Sequence, residues 1–335
     1  MRWNKGFTAE YHAAIVNPVT WRDRDLFEIT GGSVKTSDSS LREAADIQCP
    51  SFDHTKEYWT RIYLTASQND DVERVALFTG LTSVPDRSFN GLIKKNTIQC
   101  YSVLKPADDV LMPLGWYILA GSNGAKAVRD LLKEVIPAPI TIEGESPYLN
   151  STLYAESGET VLSMADYILN VIGWRIRITG MGEVVICPQA SEISAYFDVD
   201  KNDVFEMDVS ISDDWYAIPN VLRVLTEDMM AIAKDEDPDS PYSIPTRGRE
   251  IWVEESATLS TDETIGEYAR RRLSELQESA QKISYTRRFD PNVKATDRIW
   301  VNYPDQDIKG EYYITSQTIE LGFGAKTSEE AEGTI

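Results

Sequence analysis

Along residues 1–104 apolar and polar positions alternate in short runs. In Trp59–Thr65, Ile62 and Leu64 fall on one side and Arg61 and Tyr63 on the other. A period of two is that of a half-buried strand. Arg74–Leu81 holds a second short run, Val75-Ala76-Leu77-Phe78, and Asn96–Leu104 a further one. Asn90-Gly91 is a turn signal, since both residues tolerate the left-handed backbone of tight hairpins. Closely spaced strands of this kind predict a barrel or sandwich. Residues 1–104 therefore read as an N-terminal, β-rich domain.

The period changes after Lys105-Pro106-Ala107-Asp108. Beyond Gly124, Val128, Leu131, Leu132 and Val135 recur at i, i+3, i+4 and i+7, the stripe of an amphipathic helix, which Pro137 and Pro139 end. In a second helix Val161, Ala165, Ile168 and Ile172 share a face with Leu162 and Leu169, and Gly173 stops it. Trp174–Thr179 alternates strictly, Gly180-Met181-Gly182 turns the chain, and Glu183–Ile186 returns. Residues 105–195 thus predict a small α/β insertion with two helices and a β-hairpin.

Residues 196–324 read as a C-terminal β domain with one long helix. Asn220–Leu225 alternates, and Lys234–Pro245 is an acidic, proline-containing loop. Ser260-Thr261-Asp262-Glu263 has capping-box spacing. The helix it opens carries Ile265, Tyr268, Ala269, Leu273, Leu276 and Ala280, with Glu267 and Arg271 as an i, i+4 pair. Three strands follow: Ile283–Phe289, Arg298–Tyr303 and Tyr312–Phe323. The last has an imperfect apolar side, which suggests a bulge. Residues 325–335, small and acidic, read as a flexible tail. The fold class is mainly β with an α+β insertion: two β-barrel or sandwich domains plus a small helix–hairpin domain.

Composition narrows the function. In 335 residues, Asp and Glu total 54 against 33 Lys and Arg, a formal charge of −21 spread along the chain. Such a charge opposes coating a nucleic acid or an anionic membrane, serves solubility, and leaves room for a nucleic acid that must pass without sticking. At 42% hydrophobic residues the chain fills real cores. Cys49, Cys100 and Cys187 are far apart and odd in number, neither a disulfide framework nor a zinc site. No apolar run reaches the ~18 residues of a membrane span, and no secretory h-region follows Met1, so synthesis in the cytosol is expected.

Candidate chemistry is sparse. The histidines are His12, in Tyr11-His12-Ala13-Ala14, and His54, beside Asp53; each reads as an ordinary surface or loop residue. Gly121-Ser122-Asn123-Gly124-Ala125-Lys126 lacks phosphate-loop spacing and reads as a helix entry. Asp235, Asp237 and Asp239 alternate as in calcium loops, but Ser240 and Thr246 stand where Gly and Glu are needed. Asp198, Asp200 and Asn202 fail likewise at Asp203 and Val209. Arg270-Arg271-Arg272 reads as a solvated helix face. With so many carboxylates, some pair falls at glycosidase distance by chance, and nothing local singles one out. No catalytic, cofactor or metal residue is assigned, and the chain is read as a non-enzyme.

Order and spacing carry a resemblance. Gly158-Glu159-Thr160, the apolar helix to Gly173-Trp174, then Arg175–Ile178, Gly182–Ile186 and Pro188 resemble the middle region of baseplate central hub proteins of contractile-tailed phages, prophages and phage tail-like bacteriocins. Asp213-Asp214-Trp215-Tyr216, Asn220–Val224, Gly248-Arg249, the helix from Thr261, Asp297–Val301 and Gly310–Ile314 extend it over residues 150–323. The resemblance implies two tube-type β domains per chain. It implies a homotrimeric ring that joins a six-fold tail tube above to a three-fold spike below, contacts other baseplate subunits and lines a channel. It places the protein in the virion tail baseplate, assembled in the host cytoplasm, without sequence-specific nucleic-acid binding or membrane insertion. The alternatives are a distal-tail or tail-tip adaptor for receptor-binding proteins and a tail-associated peptidoglycan hydrolase.

Overall fold

The computed structural model describes residues 1–334 except 40, 51, 53–54, 84–85, 91–92, 190–191, 199–208, 214–215, 217, 227, 258–263, 279–280 and 304–307. The first elements are β1 (Thr8–Val16), β2 (Asp23–Glu28), β3 (Gly31–Ser37), β4 (Glu43–Cys49), β5 (Trp59–Gln68), β6 (Asp71–Thr82), β7 (Asp86–Asn90) and β8 (Ile93–Ser102). Next come α1 (Lys105–Asp109), β9 (Tyr117–Ile118), α2 (Gly124–Lys133), β10 (Ile140–Ile142), β11 (Leu153–Tyr154), α3 (Val161–Val171), β12 (Trp174–Ile178) and β13 (Val184–Pro188). They are followed by β14 (Ile193–Asp198), β15 (Ser210–Asp213), β16 (Val221–Leu225), β17 (Met230–Lys234), α4 (Ile244–Arg247), β18 (Trp252–Ser256) and α5 (Ile265–Glu278). The chain closes with β19 (Gln281–Arg287), β20 (Arg298–Tyr303), β21 (Ile308–Glu320) and β22 (Thr327–Thr334).

The protein is mainly β. A 14-stranded sheet runs β15-β19-β22-β21-β3-β4-β8-β6-β5-β1-β2, with β20 on β21, β14 on β20 and β7 on β8. Its seam is the 13-residue β21, which pairs with β20 through Ile308–Tyr313 and with β3 through Ser316–Glu320. The pairing of β21 with β22 slips between Ile314 and Ser316, the bulge that the imperfect apolar pattern suggested. Sequence-distant halves thereby share one continuous sheet. The N-terminal half curls until β1 meets the end of β21, where the Tyr11 hydroxyl donates to the Gly322 carbonyl at 2.8 Å. Burial pushes the Tyr11 pKa up to about 12, so the hydroxyl remains a donor.

Each half has its own apolar core. Ile47, Ile62, Leu64, Phe78 and Ile98 anchor the N-terminal one. Ile283, Ile299, Val301, Ile308 and Ile314 anchor the C-terminal one. Between them in sequence, α1, α2 and α3 gather a third core with Leu132, Leu162, Met164, Ile168 and Trp174, backed by the sheet β10-β13-β12. A fourth, small core packs Ala269 and Leu273 of α5 on Leu222, Val224 and Ala233 of the sheet β17-β16-β18.

Local rules account for most helix ends. The Asn123 side chain accepts from the Lys126 amide, so Gly121–Lys126 is a helix entry. Thr160 and Ser163 exchange side-chain and backbone bonds at the start of α3, and Gly173 follows its end at φ 68°. Ser260–Glu263 and Ala280 lie outside the described residues, as does Gly91. The cap of α5 is instead Thr264 with Glu267, whose carboxylate accepts from the Thr264 amide at 3.0 Å. That occupies Glu267, and the i, i+4 pair found on the helix is Arg271 with Glu275 at 2.6 Å.

Two expectations are corrected. Trp59–Thr65 is not half-buried: Arg61 is 1% and Tyr63 6% exposed, because a second layer covers the side opposite Ile62 and Leu64. The supposed flexible tail from residue 325 is instead β22, inserted between β19 and β21. Its pattern does alternate, with Thr327, Glu329 and Ala331 buried and Ser328 and Glu330 exposed. The buried side escapes hydrophobic reading because Glu329 is buried as an ion pair with Arg287.

Candidate functional site

Two features stand out: one polar face of the continuous sheet, and the junction that sets the insertion against both halves. The face follows from strand alternation. Val34, Ala45, Ile47, Ile98, Ile319 and Ile283 point into the cores, which turns their sequence neighbours outward. Register then places Thr286, Ser328, Thr318, Lys35, Ala44 and Tyr101 side by side across β19, β22, β21, β3, β4 and β8. The adjoining rows hold Ser284, Glu330, Ser316 and Ser37 on one side, and Glu320, Ser33, Asp46 and Gln99 on the other.

Hydroxyl, amide and acidic side chains thus predominate across the seam between the halves, with Lys35 among them at the seam itself. Across β3, β4 and β19–β22 this face carries the carboxylates of Asp46, Glu311, Glu320, Glu330 and Glu332 against the cations of Lys35, Lys282, Arg298 and Lys309, a small acidic excess. Lys282 is held by Glu332 at 2.6 Å. Arg298 of β20 shares this face, opposite Tyr313, and lies 3.7 Å from the Glu311 carboxylate, so its charge is met within the face.

The junction is built on the turn Gly180-Met181-Gly182. The Met181 carbonyl accepts from Arg61 Nη2 and Trp21 Nε1, each at 2.9 Å, and the Gly180 carbonyl accepts from Thr79 Oγ1 at 2.8 Å. Asp23 fixes the other side of the Arg61 guanidinium at 2.6 Å and accepts from Tyr63 Oη at 2.6 Å. This hairpin turn is the layer that buries Arg61 and Tyr63. A Cβ on Gly180 would lie 1.8 Å from the Ala76 carbonyl oxygen. Gly180→Ala is therefore expected to destabilise the protein by about 1–3 kcal/mol through overpacking. It should also open the insertion to proteolysis near residue 180; urea unfolding and limited trypsin digestion check both.

On the insertion's other side, Arg42 Nη2 reaches Asp166 of α3 at 2.7 Å, and Arg175 Nη1 donates to the Thr296 carbonyl at 2.5 Å. Thr296 sits at φ 73°, where a non-glycine residue is strained unless its surroundings hold it. A cavity of about 90 Å³ lies where the three parts meet, with Thr36, Glu43, Arg177, Lys294 and Gln317 among its walls. Burial holds the Glu43 carboxyl well above the usual carboxylate range, partly offset by Lys294.

The residues weighed for chemistry do not converge. His12 stacks on Tyr63 with ring centroids 5.2 Å apart, and His54 lies outside the described residues. Asp235 and Asp237 accept from the amides of Asp237 and Asp239 within their own loop, and Asp235 also binds Ser240 and Gln277. Asp200, Asn202 and Asp203 are outside the described residues. Arg272 is no free solvated group: it bridges to Glu255 of β18 at 3.0 Å and to Glu275 at 3.3 Å. Cys49, Cys100 and Cys187 are buried thiols. Among the described residues no group of three or more His, Cys, Asp or Glu is placed to hold a metal ion. No helix among them is long and apolar enough to cross a membrane.

Sequence reasoning missed Arg61, Glu43, Lys294 and Glu329. The one available signal was the pairing of an alternating Arg61/Tyr63 side with a small Gly-x-Gly turn, a combination that suits close docking.

No protein-family model matches the sequence, and no curated protein matches it. Solved structures do. A tail protein from Neisseria meningitidis superposes with a TM-score of 0.71 at 12% identity, over 97% of this chain and 96% of that one. The 43 kDa tail protein of prophage MuSo2 from Shewanella oneidensis gives 0.70 at 12% identity, over 98% of each chain. The E. coli c3393 protein, a type VI secretion component with structural similarity to T4 bacteriophage tail proteins, gives 0.55 at 10% identity, over 92% of this chain and 75% of that one. Agreement over nearly the whole chain at such low identity is agreement of fold, and the protein has the hub-type fold of phage tail and baseplate proteins.

Proposed function

We propose that the protein is a structural, non-enzymatic hub of a phage-type tail baseplate. Three copies close a ring between a six-fold tail tube and a three-fold spike. The two halves of each chain supply six similar β units, which resolves the symmetry mismatch. The polar sheet face lines the central channel, and its acidic excess lets DNA or another anionic cargo slide past instead of adsorbing.

The observation that carries this reading is the continuity of the polar face across the β3–β21 seam. A chain that only bridged neighbours would have no need of one polar surface spanning both halves. The insertion offers the complementary surface: Leu114 and Tyr154 stand 88% and 64% exposed on its outside, apolar area for neighbouring baseplate subunits to cover. The working location is accordingly the tail baseplate of a virion or related particle, assembled in the host cytoplasm.

Native mass spectrometry tests the assembly. A species of three times 37.7 kDa is expected, alone or on addition of the spike and tube subunits. A chain that stays monomeric in the presence of both removes the hub reading.

A further inference from the structure

The cavity at the three-part junction contains buried polar groups that the proposed channel does not use. Thr36 and Glu43 are register partners on β3 and β4, on the core side of the sheet. Thr36 Oγ1 and Glu43 Oε1 are both buried without a protein hydrogen-bond partner, and Glu43 is only 6% exposed. Both line the cavity, as does Lys294 from the β19–β20 loop, and no direct ion pair joins Glu43 to Lys294.

A lone buried carboxylate is costly, whereas a protonated carboxyl is tolerable. The walls around Glu43 come from the paired strands β3, β4 and β21 and from two pieces laid against them, β12 of the insertion and the β19–β20 loop, neither of which is hydrogen-bonded to β4 as a strand. We propose that this junction is a proton-operated hinge, shut while Glu43 keeps its proton and loosened when that proton leaves to solvent.

Charge reaches the cavity from the β3–β4 turn and β4, from β12 and from the β19–β20 loop, whereas β3, β6 and β21 line it with uncharged side chains. Arg42 adjoins Glu43 but is committed to Asp166 and to the carbonyls of Asp38 and Ser39. Arg177 comes from β12, while Asp290, Lys294 and Asp297 come from the β19–β20 loop. Behind Gln317 lies the closed pair of Arg287 and Glu329.

Linkage sets the direction. The carboxyl is raised in the shut form and returns toward its ordinary 4.5 once opened to water. Above that pH the open form sheds a proton that the shut form retains. Opening therefore becomes up to about tenfold easier per pH unit, until the shut form also ionises. Asp297, raised by burial, acts in the same sense; Lys294, lowered by burial, acts in the opposite sense in a window just below 10.5. Comparing the full chain with Glu43→Gln isolates the Glu43 contribution.

The experiment is amide hydrogen exchange of the β12 and β19–β20 segments in both proteins between about pH 5 and pH 8, with intrinsic rates divided out. The wild-type opening constant is expected to rise against that of Glu43→Gln by about tenfold or more across this range. Parallel curves overturn the proposal. If the variant does not fold, the wild-type ¹³C-labelled Glu43 carboxyl resonance decides: titration near the ordinary value overturns it, and retention of the proton through neutral pH upholds it.

Discussion

A chain ended after Lys326 is expected to lose the C-terminal half of the sheet and to be recovered mainly as insoluble protein. β22 pairs through Thr327–Glu332 with β19 and along Thr327–Thr334 with β21. Without it, two long strands face each other with unpaired edges, a template for association with other chains. The C-terminal core loses Ala331, 1% exposed, and Arg287 loses the carboxylate of Glu329. Because β21 also carries β3, the damage reaches the seam between the halves. Soluble yield and hydrogen exchange over residues 283–320 measure the effect. A shortened chain that unfolds cooperatively at the full-length midpoint would contradict the role given to β22.

Glu329→Ala should be the most damaging single substitution, costing about 3–5 kcal/mol, the range for breaking a buried ion pair from one side. Arg287 and Glu329 are both 0% exposed in their side chains. The guanidinium holds the carboxylate through two bonds, Nε to Oε2 at 2.8 Å and Nη2 to Oε1 at 2.5 Å, and Gln317 adds a third at 2.6 Å. Removing the acid strands a cation, with the Arg288 and Val293 carbonyls left, among the described residues, to accept from it. The cost comes from the stranded charge rather than from the worth of the pair. The double variant Arg287→Met/Glu329→Leu should therefore recover most of the loss. Urea midpoints of the wild type, Glu329→Ala, and the closed cycle of Arg287→Met, Glu329→Leu and their double variant check this. Equal losses in the single and double variants would show that packing, not charge, sets the cost.

These residues also mark where sequence reading stopped. The strand Trp174–Ile178, the helices α2 and α3 and the strand β20 were legible because their periodicity is apolar against polar within a few residues. β22 carries the same period, but its inward positions are Thr327, Glu329, Ala331 and Gly333, which no hydrophobic scale marks as buried. Glu329 can be buried only because Arg287, forty-two positions earlier, lies opposite it. Arg61 is the converse case: its strand was visible, but not the turn at Met181 that seals its outer side. Of the candidate sites, the helix entry at Gly121–Lys126 was readable from spacing alone, while the cavity around Glu43 was not, since its walls come from strands and loops distant in the chain.

The sequence by itself determined the β-rich class, the helix–hairpin insertion and the acidic balance, since each rests on neighbours within one turn or strand, or on a simple sum of charges. Only the tertiary structure decided that the two halves share one sheet along β21, that the last strand is its keystone, and that the insertion is clamped at Gly180 and Met181. Those outcomes depend on pairings between distant segments, where burial is set by the partner opposite and not by the residue's own polarity.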